Sequence, residues 1–334
     1  MIGKKGVLLV NLGTPDSPSV SDVRRYLSQF LNDPRVIDIS WLARKILVNF
    51  IIVPFRAPKS AKLYQQLWSD KGSPLLYHTE ELVKKVQERL GGEYQVEMAM
   101  RYGNPSIGNG LERLRKNKVR DLTVIPLYPQ YASSSNGSSV EEVLRQIASW
   151  WAIPDFRVRG QFFDHPKYIE AFVERGKQYN WKEFDHVIFS FHGLPVRQVD
   201  KVYDDGPCES HECHVEITED NRLCYRATSY ATARSIASGL GMSENDYTVS
   251  FQSRLDKNWL TPFSDVVVEE RAKKGDQNLL VFSPSFVADC LETIVEIGVE
   301  YQEIFEEHGG AKVQLVESLN NHPSWVECVS DLAG

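Results

Sequence analysis

Short apolar segments alternate with longer amphipathic segments along the whole chain, and this alternation constrains the fold more than any other feature. Amphipathic stretches such as 80–90 and 225–240 separate the apolar segments. Apolar runs of four to eight residues are typical of strands buried on both faces of a parallel sheet. The seven strand candidates, of which the last two are interrupted by polar residues, are 6–10, 122–127, 187–191, 247–251, 279–282, 94–98 and 156–163. The pattern predicts a doubly wound α/β architecture.

The length of 334 residues predicts two domains. We place the boundary near Trp150–Pro154, so that residues 1–155 form an N-terminal lobe and residues 156–334 form a C-terminal lobe. Ligands of such folds bind beyond the carboxyl ends of the strands. Polar, aromatic and turn residues follow most of the predicted strands, which indicates a binding site at that edge.

Charge and cysteine content exclude several classes of protein. The net charge of −7 disfavours nucleic acid as a partner, because nonspecific binding depends on neutralising phosphates with Lys and Arg. Five cysteines are too few, and odd in number, for a secreted disulfide framework. No apolar run approaches the length of a membrane span, so we expect a cytoplasmic protein. Motifs of dinucleotide-binding proteins, P-loop NTPases, zincins and α/β-hydrolases are absent from the sequence.

Four acidic residues form the strongest chemical signal. Asp289, Glu292, Glu296 and Glu300 are spaced so that an α-helix would place them within an arc of about 80°. The rest of the helix is almost entirely apolar, and no Lys or Arg in the stripe relieves the repulsion between the acids. A solvent-facing stripe is the ordinary explanation. The wide apolar face instead favours a line of carboxylates that face a cleft, bind cations and accept protons.

His192 is the second signal. It follows the apolar run 187–191 and precedes Gly193-Leu194-Pro195, which places it at the carboxyl end of a strand. A histidine there acts as a general base near neutral pH, binds a metal ion, or plays a structural role.

Residues 41–56 combine aromatic and aliphatic side chains with Arg44, Lys45 and Arg56. A buried helix followed by a loop is one interpretation. The other is an apolar lip that touches a membrane surface or a flat hydrophobic ligand.

The stretch 204–224 has the composition of an insertion loop and contains the densest group of soft metal ligands. Cys208, Cys213 and Cys224 lie there together with His211 and His214. Three cysteines are weaker evidence for a metal site than two CxxC pairs, because a complete site needs four ligands.

Together these segments resemble ferrochelatases, the enzymes that insert ferrous iron into a porphyrin, and the resemblance extends over essentially the whole chain. The most specific matches are Leu9-Val10-Asn11-Leu12-Gly13-Thr14-Pro15, Ser190-Phe191-His192-Gly193-Leu194-Pro195, Gln252-Ser253-Arg254 and 286–293, with support from Arg101-Tyr102 and Tyr128-Pro129-Gln130-Tyr131. The resemblance implies two Rossmann-like lobes, each with a doubly wound parallel sheet, and a porphyrin cleft between them. It also implies insertion of Fe²⁺ into protoporphyrin IX with release of two protons, the last step of haem b biosynthesis.

The resemblance assigns roles to individual residues. His192 and Glu292 face the ring centre from opposite sides as proton acceptors and ligands of the substrate iron, Asp289 supports their pocket, and Glu296 and Glu300 continue an acidic path for the metal. The expected porphyrin contacts are Leu12, Arg56, Arg101, Tyr102, Tyr131 and Trp259. At Trp259 the sequence departs from the family pattern, because the segment before it is shorter than in the family and contains Leu255-Asp256-Lys257-Asn258.

Some members of the family hold a [2Fe–2S] cluster in an internal insertion, so the resemblance implies such a cluster at Cys208, Cys213 and Cys224. His214 stands where a further cysteine is expected, and imidazole replaces thiolate on iron in Rieske centres. Zinc with the same ligands is the runner-up. A loop with unligated cysteines is the third possibility.

Two other functions stay open. A chelatase for coproporphyrin or another tetrapyrrole is disfavoured by Leu12, since members that act on coproporphyrin carry Tyr there. A tetrapyrrole- or metal-binding protein without catalysis is disfavoured by the presence of both His192 and Glu292. For the enzyme we expect transient contact of the apolar lip with the inner face of the membrane.

Overall fold

The computed structural model describes residues 3–204 and 206–334. Asp205, within the predicted insertion, lies outside the described residues, as do Met1 and Ile2. The chain forms two compact units. The first comprises Met1–Tyr128, Ser133–Gln161 and Val326–Gly334, and the second comprises Pro129–Ala132 and Phe162–Trp325.

The secondary structure is an alternation of strands and helices, as the sequence predicts. The strands are β1 (Lys5–Thr14), β2 (Tyr94–Gly103), β3 (Asp121–Pro126), β4 (Asp155–Val158), β5 (His186–His192), β6 (Tyr247–Gln252), β7 (Asn278–Phe282) and β8 (Lys312–Leu315). The α-helices are α1 (Val20–Leu31), α2 (Trp41–Ile46), α3 (Val53–Leu67), α4 (Pro74–Leu90), α5 (Ile107–Lys116), α6 (Ser138–Ile147), α7 (Pro166–Gly176), α8 (Val196–Val199), α9 (Tyr225–Leu240), α10 (Ser264–Lys273), α11 (Gln302–Glu307) and α12 (Pro323–Ala333). Short 3₁₀ turns span Trp181–Glu183, Asp200–Val202 and Cys208–Ser210.

The first unit is built on a parallel four-stranded sheet with the order β2-β1-β3-β4. Val7 of the central strand lies opposite Val96 on one side and Thr123 on the other. Both strand neighbours and the helices that cover the sheet bury β1, which explains why its residues from Gly6 to Asn11 are all buried. A core of Leu8, Val10 and Val124 packs against α5 and α6.

The second unit repeats this topology with the order β6-β5-β7-β8, again all parallel. Ile188 and Val281 of the sheet pack with Val268 and Phe305 of the covering helices. All seven predicted strands are present. The eighth, β8, was not predicted because only Val313 and Leu315 are apolar in this four-residue edge strand.

Among the residues that the structure describes, three segments adopt π-helix, in which hydrogen bonds run from residue i to residue i+5. They are Leu47–Ile52, Ser133–Gly137 and Glu292–Tyr301. The prediction of an α-helix through all four acids is therefore wrong over Glu292–Tyr301, and Asp289 lies before the helix begins. Apolar spacing did not reveal this, because side chains four residues apart share a face in both kinds of helix.

In the described ranges 3–204 and 206–334, no helix is both long enough and apolar enough to cross a membrane.

Candidate active site

His192 is the last residue of the central strand β5, at the carboxyl edge of the second sheet. Its ring is half-buried, and Nδ1 lies 2.6 Å from the carbonyl oxygen of Gly193. A carbonyl oxygen only accepts hydrogen bonds, so Nδ1 carries the proton in the neutral ring and Nε2 keeps its lone pair. His192 is thereby presented as a base or a metal ligand.

Two aromatic rings flank this imidazole. The ring centroids of Phe286 and Trp259 lie 6.2 Å and 6.5 Å from that of His192. Trp259 reaches this place through an antiparallel bridge to Pro195. Gly193 permits the close approach of these segments, because a Cβ there would lie 2.7 Å from the carbonyl oxygen of Gln252. The shorter segment before Trp259 thus still brings its ring beside His192.

The π-helix Glu292–Tyr301 supplies acids at the same edge. Glu292 and Glu296 are half-buried, whereas Glu300 is exposed. Because a turn of π-helix contains a little more than four residues, the three acids lie in a row along one side. Burial of the thiol first, and then the charge and hydrogen bond of Glu292, raise the pKa of Cys290 far above its ordinary value.

Glu296 is held by four donors. Its carboxylate accepts hydrogen bonds from the Ser253 amide at 2.8 Å, the Ser253 hydroxyl at 2.5 Å, the Gln252 amide group at 3.0 Å and the Tyr301 hydroxyl at 3.4 Å. Ser253 has a left-handed backbone with φ of 62°, which a non-glycine residue adopts at a cost that the fold repays elsewhere. Ser190 donates to the side-chain oxygen of Gln252 at 2.8 Å and so turns the Gln252 nitrogen towards Glu296.

Glu300 differs from Glu296 in its electrostatic surroundings. Loss of solvation, followed by the charges of Glu296 and Glu303, raises the pKa of Glu300. A carboxyl group with a raised pKa gains and releases protons closer to neutral pH.

Asp289 is buried, and its hydrogen-bond partners are different from those of Glu296. Its carboxylate accepts hydrogen bonds from the Asn320 side chain at 2.7 Å, the Ser318 amide at 3.1 Å and the Thr293 hydroxyl at 3.3 Å. These donors fix the entrance to the π-helix, because Thr293 lies in its first turn.

In the first unit, Arg101 and Tyr102 at the end of β2 converge on Asp33. One oxygen of Asp33 accepts from Arg101 at 2.6 Å, from the Tyr102 hydroxyl at 2.9 Å and from the Ser138 hydroxyl at 2.6 Å. Burial of the phenol, and then the charge of Asp33, raise the pKa of Tyr102. The hydroxyl of Tyr102 is therefore used internally, while Arg101 stays half-buried.

Three further predicted porphyrin contacts are Leu12, Arg56 and Tyr131. Leu12, near the end of β1, is half-buried and donates its amide to the Asn11 side chain at 2.8 Å. Arg56 is exposed in α3. Tyr131 is half-buried in a short segment of the second unit.

The apolar lip is helical throughout, because α2, the π-helix Leu47–Ile52 and α3 follow each other without interruption. Phe50 and Phe55 are 74% and 72% exposed. The lip's other large exposed apolar side chains are Trp41, Leu42, Ile46 and Ile51. Arg44 departs from the predicted basic lip, since it is buried and donates to the carbonyl oxygens of Ile37 and Ile39.

The three cysteines of the predicted insertion come together. The sulfur atoms of Cys208, Cys213 and Cys224 are buried and lie within 4.8 Å of one another. Hydrogen bonds from the other two thiols lower the pKa of Cys224. His214 is exposed, with its ring centroid 5.9 Å from that of Tyr230, and is not part of this group.

A pocket of about 250 Å³ adjoins the group. It is lined by Cys208, Arg226, Val196, Leu260 and Thr261. A guanidinium beside sulfur atoms favours their anionic form, which is the form that binds metals.

Sequence reasoning did not select Asp33, Ser138, Gln252 or Ser253 as site residues. The segment Gln252-Ser253-Arg254 carried a usable signal, because it follows a predicted strand at the same edge as His192. Asp33 carried none, since a single acid between two helices has no distinctive spacing.

Comparison with known proteins agrees with the fold and with these motifs. The ferrochelatase family model matches residues 4–334. The chain is 42% identical over 330 residues to a ferrochelatase of Legionella pneumophila, with 98% of each chain covered. It is 43% identical over 338 residues to a ferrochelatase of Coxiella burnetii, with 99% of this chain and 93% of the relative covered.

Among solved structures, the fold resembles the sirohydrochlorin chelatase SirB of Bacillus subtilis subspecies spizizenii in complex with cobalt. The TM-score is 0.54 at 11% identity, and the match covers 99% of this chain and 94% of that one. At this identity the likeness concerns the fold alone. The family model and the relatives, which cover nearly the whole sequence, establish that the chain belongs to the ferrochelatase family.

Proposed function

We propose that the protein inserts Fe²⁺ into protoporphyrin IX and releases two protons to give protohaem. The observation that carries this proposal is the edge of the second sheet, where His192 keeps a lone pair on Nε2 near the end of β5 and the π-helix supplies Glu292. Metallation must remove the protons of two pyrrole N–H groups, so it needs bases that face the substrate. A mere binding protein does not need them.

Each residue of this edge has a distinct task in the proposed reaction. Nε2 of His192 accepts a pyrrole proton or binds the incoming iron. Glu292 is the second base and ligand. The oxygens of Glu296 already accept four protein hydrogen bonds, which fix the position of its carboxylate between Glu292 and Glu300. Glu300 exchanges protons with solvent, because its pKa is raised.

The flat apolar substrate needs aromatic and aliphatic surface as well as a cation for its propionates. Trp259 and Phe286 supply aromatic surface beside His192. Leu12, Arg56, Arg101, Tyr102 and Tyr131 stay the further predicted porphyrin contacts. Arg101 is oriented by Asp33, and that pairing lowers its ability to bind a second anion.

An anaerobic assay with Fe²⁺ tests the reaction and the choice of porphyrin together. We expect haem formation with protoporphyrin IX and a kcat/KM at least about tenfold lower with coproporphyrin III, since Leu12 offers a methyl-rich contact in place of a polar one. A preference for coproporphyrin III would overturn the substrate assignment. Tight porphyrin binding without metal insertion would leave a binding protein.

We also propose that the apolar lip associates reversibly with membrane surfaces. Six large apolar side chains exposed on one helical segment form a patch that water does not favour. The test is sedimentation with vesicles that contain anionic phospholipid. Replacing Phe50 and Ile51 together with Ser should lower the bound fraction about tenfold.

The matched control for the lip is Trp151→Ser, because Trp151 is fully exposed outside the lip. Its partition should stay at the level of the unaltered protein. Equal losses in both variants would indicate nonspecific adsorption through exposed apolar side chains rather than binding by the lip. Unchanged vesicle binding of the lip variant would contradict the proposal.

We propose further that Cys208, Cys213 and Cys224 hold a resident metal centre, and the chemistry of the donor set fits one. The Sγ atoms of Cys208 and Cys213 are 3.9 Å apart, and Zn–S bonds of about 2.3 Å in a tetrahedron imply S–S distances of about 3.8 Å. A [2Fe–2S] cluster, the centre predicted from the sequence, divides its ligands between two irons. The close approach of all three sulfurs therefore fits a single ion directly, whereas a cluster would place at least one of the three on a second iron and so move it away from the others.

Metal and sulfide analysis of protein purified without oxygen distinguishes the two centres. A cluster gives a reddish-brown protein with iron and acid-labile sulfide in equal amounts, whereas zinc gives a colourless protein. Cys213→Ser should remove the metal, and Cys328→Ala, a buried cysteine outside the group, should retain it. His214→Ala shows whether His214 moves in to complete the site. Protein without metal would overturn the proposal.

A further inference from the structure

A group of buried polar side chains lies on one face of the second sheet, next to the candidate site. Ser190 of β5 lies opposite Ser250 of β6, and two residues further along His192 lies opposite Gln252. Residues two apart in a strand share a face, so the two pairs lie side by side. Ser264, the first residue of α10, completes the group, and its three serines and Gln252 are all buried.

The two ends of the Gln252 side chain have different partners, and these partners fix its orientation. The nitrogen lies 3.0 Å from the Glu296 carboxylate and 3.0 Å from the main-chain carbonyl oxygen of Glu292. A carboxylate and a carbonyl oxygen only accept hydrogen bonds, so the nitrogen with its two N–H donors must face them. The side-chain oxygen of Gln252 must then accept from the Ser190 hydroxyl, at 2.8 Å.

The hydroxyl groups beyond Ser190 follow in the same direction. A hydroxyl has a single proton, and that of Ser190 is already donated to Gln252. The 2.8 Å contact between Ser190 and Ser264 therefore uses the proton of Ser264. The 2.8 Å contact between Ser264 and Ser250 uses in turn the proton of Ser250. All donors of this chain point towards the Glu296 carboxylate, and hydrogen bonds aligned in this way strengthen one another.

The main chain of Gln252 is connected to the other proposed base. Its carbonyl oxygen accepts the Gly193 amide at 2.7 Å. The carbonyl oxygen of Gly193 lies 2.6 Å from Nδ1 of His192 and accepts its proton. Gln252 thus contacts the acidic π-helix through its side chain, and it contacts the residue that orients the imidazole through its main chain.

We propose that Gln252, Ser190 and Ser264 are positioning residues, which hold the acidic π-helix in a fixed place relative to the imidazole. The serine hydroxyls keep the Gln252 side chain in the one orientation in which its nitrogen faces the π-helix. The proposal rests on the metallation proposed above, in which His192 and Glu292 act on the same porphyrin. It accounts for a buried polar chain that the proton transfers themselves leave unused.

Steady-state kinetics with Fe²⁺ and protoporphyrin IX test the positioning. Gln252→Met keeps the length of the side chain but removes both N–H donors, and we expect kcat to fall about tenfold. Ser190→Ala should lower kcat about threefold, because the Gln252 amide then loses its fixed orientation but keeps its donors. KM for the porphyrin should stay unchanged in both variants. Ser190→Thr, which keeps a hydroxyl group, should restore most of kcat.

A double variant shows whether Ser190 acts through Gln252. Gln252→Met has no amide group to orient, so the addition of Ser190→Ala should lower kcat no further. If the two losses multiply instead, Ser190 acts independently of Gln252 and the proposed chain is wrong. Ser264→Ala lies one step further away and should lower kcat less than Ser190→Ala, whereas a larger loss would contradict the order of the chain.

The matched control removes a buried hydroxyl group of the same unit that lies outside the chain. The Ser229 hydroxyl donates to the Tyr225 carbonyl oxygen at 2.8 Å, within helix α9. Ser229→Ala should leave kcat and KM unchanged. A loss as large as that in Ser190→Ala would show that removal of any buried hydroxyl has this effect, and it would overturn the proposal.

Hydrogen exchange measures how firmly the π-helix is held without any reaction. The Ser253 amide donates to the Glu296 carboxylate at 2.8 Å, so its exchange rate depends on the position of that carboxylate. We expect the peptide that contains Ser253 to exchange about tenfold faster in Ser190→Ala and in Gln252→Met than in the unaltered protein. Its exchange should be unchanged in Ser229→Ala.

The two measurements separate the positioning from the proposed reaction. Unchanged kcat and unchanged exchange in folded Ser190→Ala and Gln252→Met would overturn the positioning. Faster exchange with an unchanged kcat would overturn its part in the reaction. If the unaltered protein metallates no porphyrin, the proposed function is wrong, and hydrogen exchange still decides whether the serines and Gln252 hold the π-helix.

Discussion

The two sheets have the same strand order but opposite chemistry at their carboxyl edges. In each, the first strand lies second in the order, between the next two strands of its unit. At the first edge the buried acid, Asp33, is bound by a guanidinium and two hydroxyl groups. At the second edge Glu292, Glu296 and Glu300 form no ion pair within the described part of the chain. The same strand order thus supports an acid paired with a guanidinium group in one unit and a row of three acids without ion pairs in the other.

This difference indicates where stability has been given up for function. An acid paired with Arg101 and hydrogen-bonded in the interior contributes to the fold. Like charges along one helix weaken it, and proteins retain such arrangements where activity requires them. The comparison therefore supports the proposed binding chemistry at the second edge, whereas the hydrogen-bond network around Asp33 at the first edge is mainly structural.

The largest effect is expected from removal of the proposed base at the second edge, His192. His192→Ala should lower kcat about 1,000-fold, the middle of the range for loss of a proton-transfer group, with an unchanged melting temperature. Initial rates of haem formation and circular dichroism measure the two effects.

The matched control for that variant is at the other end of the same strand. His186 is buried and its Nε2 lies 2.8 Å from the Thr248 hydroxyl. His186→Gln should lower stability and leave kcat unchanged. The opposite pattern, unfolding of His192→Ala with full activity of its folded fraction, would give His192 a structural role.

A graded effect along the π-helix is the next test. We expect Glu292→Gln to lower kcat/KM for Fe²⁺ about 100-fold, because Glu292 is the proposed second base and ligand. Glu296→Gln should have a smaller effect, because the Glu296 carboxylate already accepts four protein hydrogen bonds, and Glu300→Gln only a severalfold effect, because Glu300 is exposed. The measurement is the iron dependence of the initial rate. Equal and mild effects at all three positions would indicate a row of solvated surface acids.

The parts of the fold that depend on apolar pattern were predictable from the sequence, and those that depend on pairing were not. Buried parallel strands such as β1 and β5 are recognisable because both faces are apolar. The helix start at Tyr225 was also predicted, whereas β8 is too polar and too short to stand out. The π-helix at Glu292 was missed because its spacing of side chains resembles that of an α-helix.

The candidate site was predictable where a residue type is unusual in its surroundings. His192 and the acids Glu292 to Glu300 stand out against apolar neighbours. The partners that orient them, Gln252 and Ser253, do not, since hydrogen-bond direction depends on three-dimensional placement. The gathering of Cys208, Cys213 and Cys224 was expected from composition, whereas exposure of His214 depends on how the loop folds.

The same contrast between the two edges is tested by the free energy of unfolding of variants at each edge. Asp33→Asn should lower the free energy of unfolding by about 3 kcal/mol, because it leaves the partly buried Arg101 charge without its partner. Asp16→Asn, which loses an exposed ion pair with Arg25, should cost less than about 1 kcal/mol. Glu300→Gln should raise stability, since the raised pKa of Glu300 shows that its charged form is disfavoured. Denaturant unfolding of the three variants measures these differences, and a loss in Glu300→Gln as large as in Asp33→Asn would remove the contrast.

The smallest expected effect concerns the pH dependence of the second unit. Burial, and then the charge of Arg271, lower the pKa of His186 from 6.5 to about 4. The unfolded chain therefore binds a proton below about pH 6.5 that the folded chain does not bind until about pH 4, so stability from this group is complete above pH 6.5 and is lost as the pH falls towards 4. Between pH 7.5 and 5 the loss is about 2 kcal/mol for this one group.

The free energy of unfolding should fall by about 2 kcal/mol less across this pH range in His186→Gln than in the unaltered protein, because glutamine does not titrate. If the free energy of unfolding of His186→Gln and of the unaltered protein falls in parallel between pH 7.5 and 5, His186 is not the group that links protonation to unfolding.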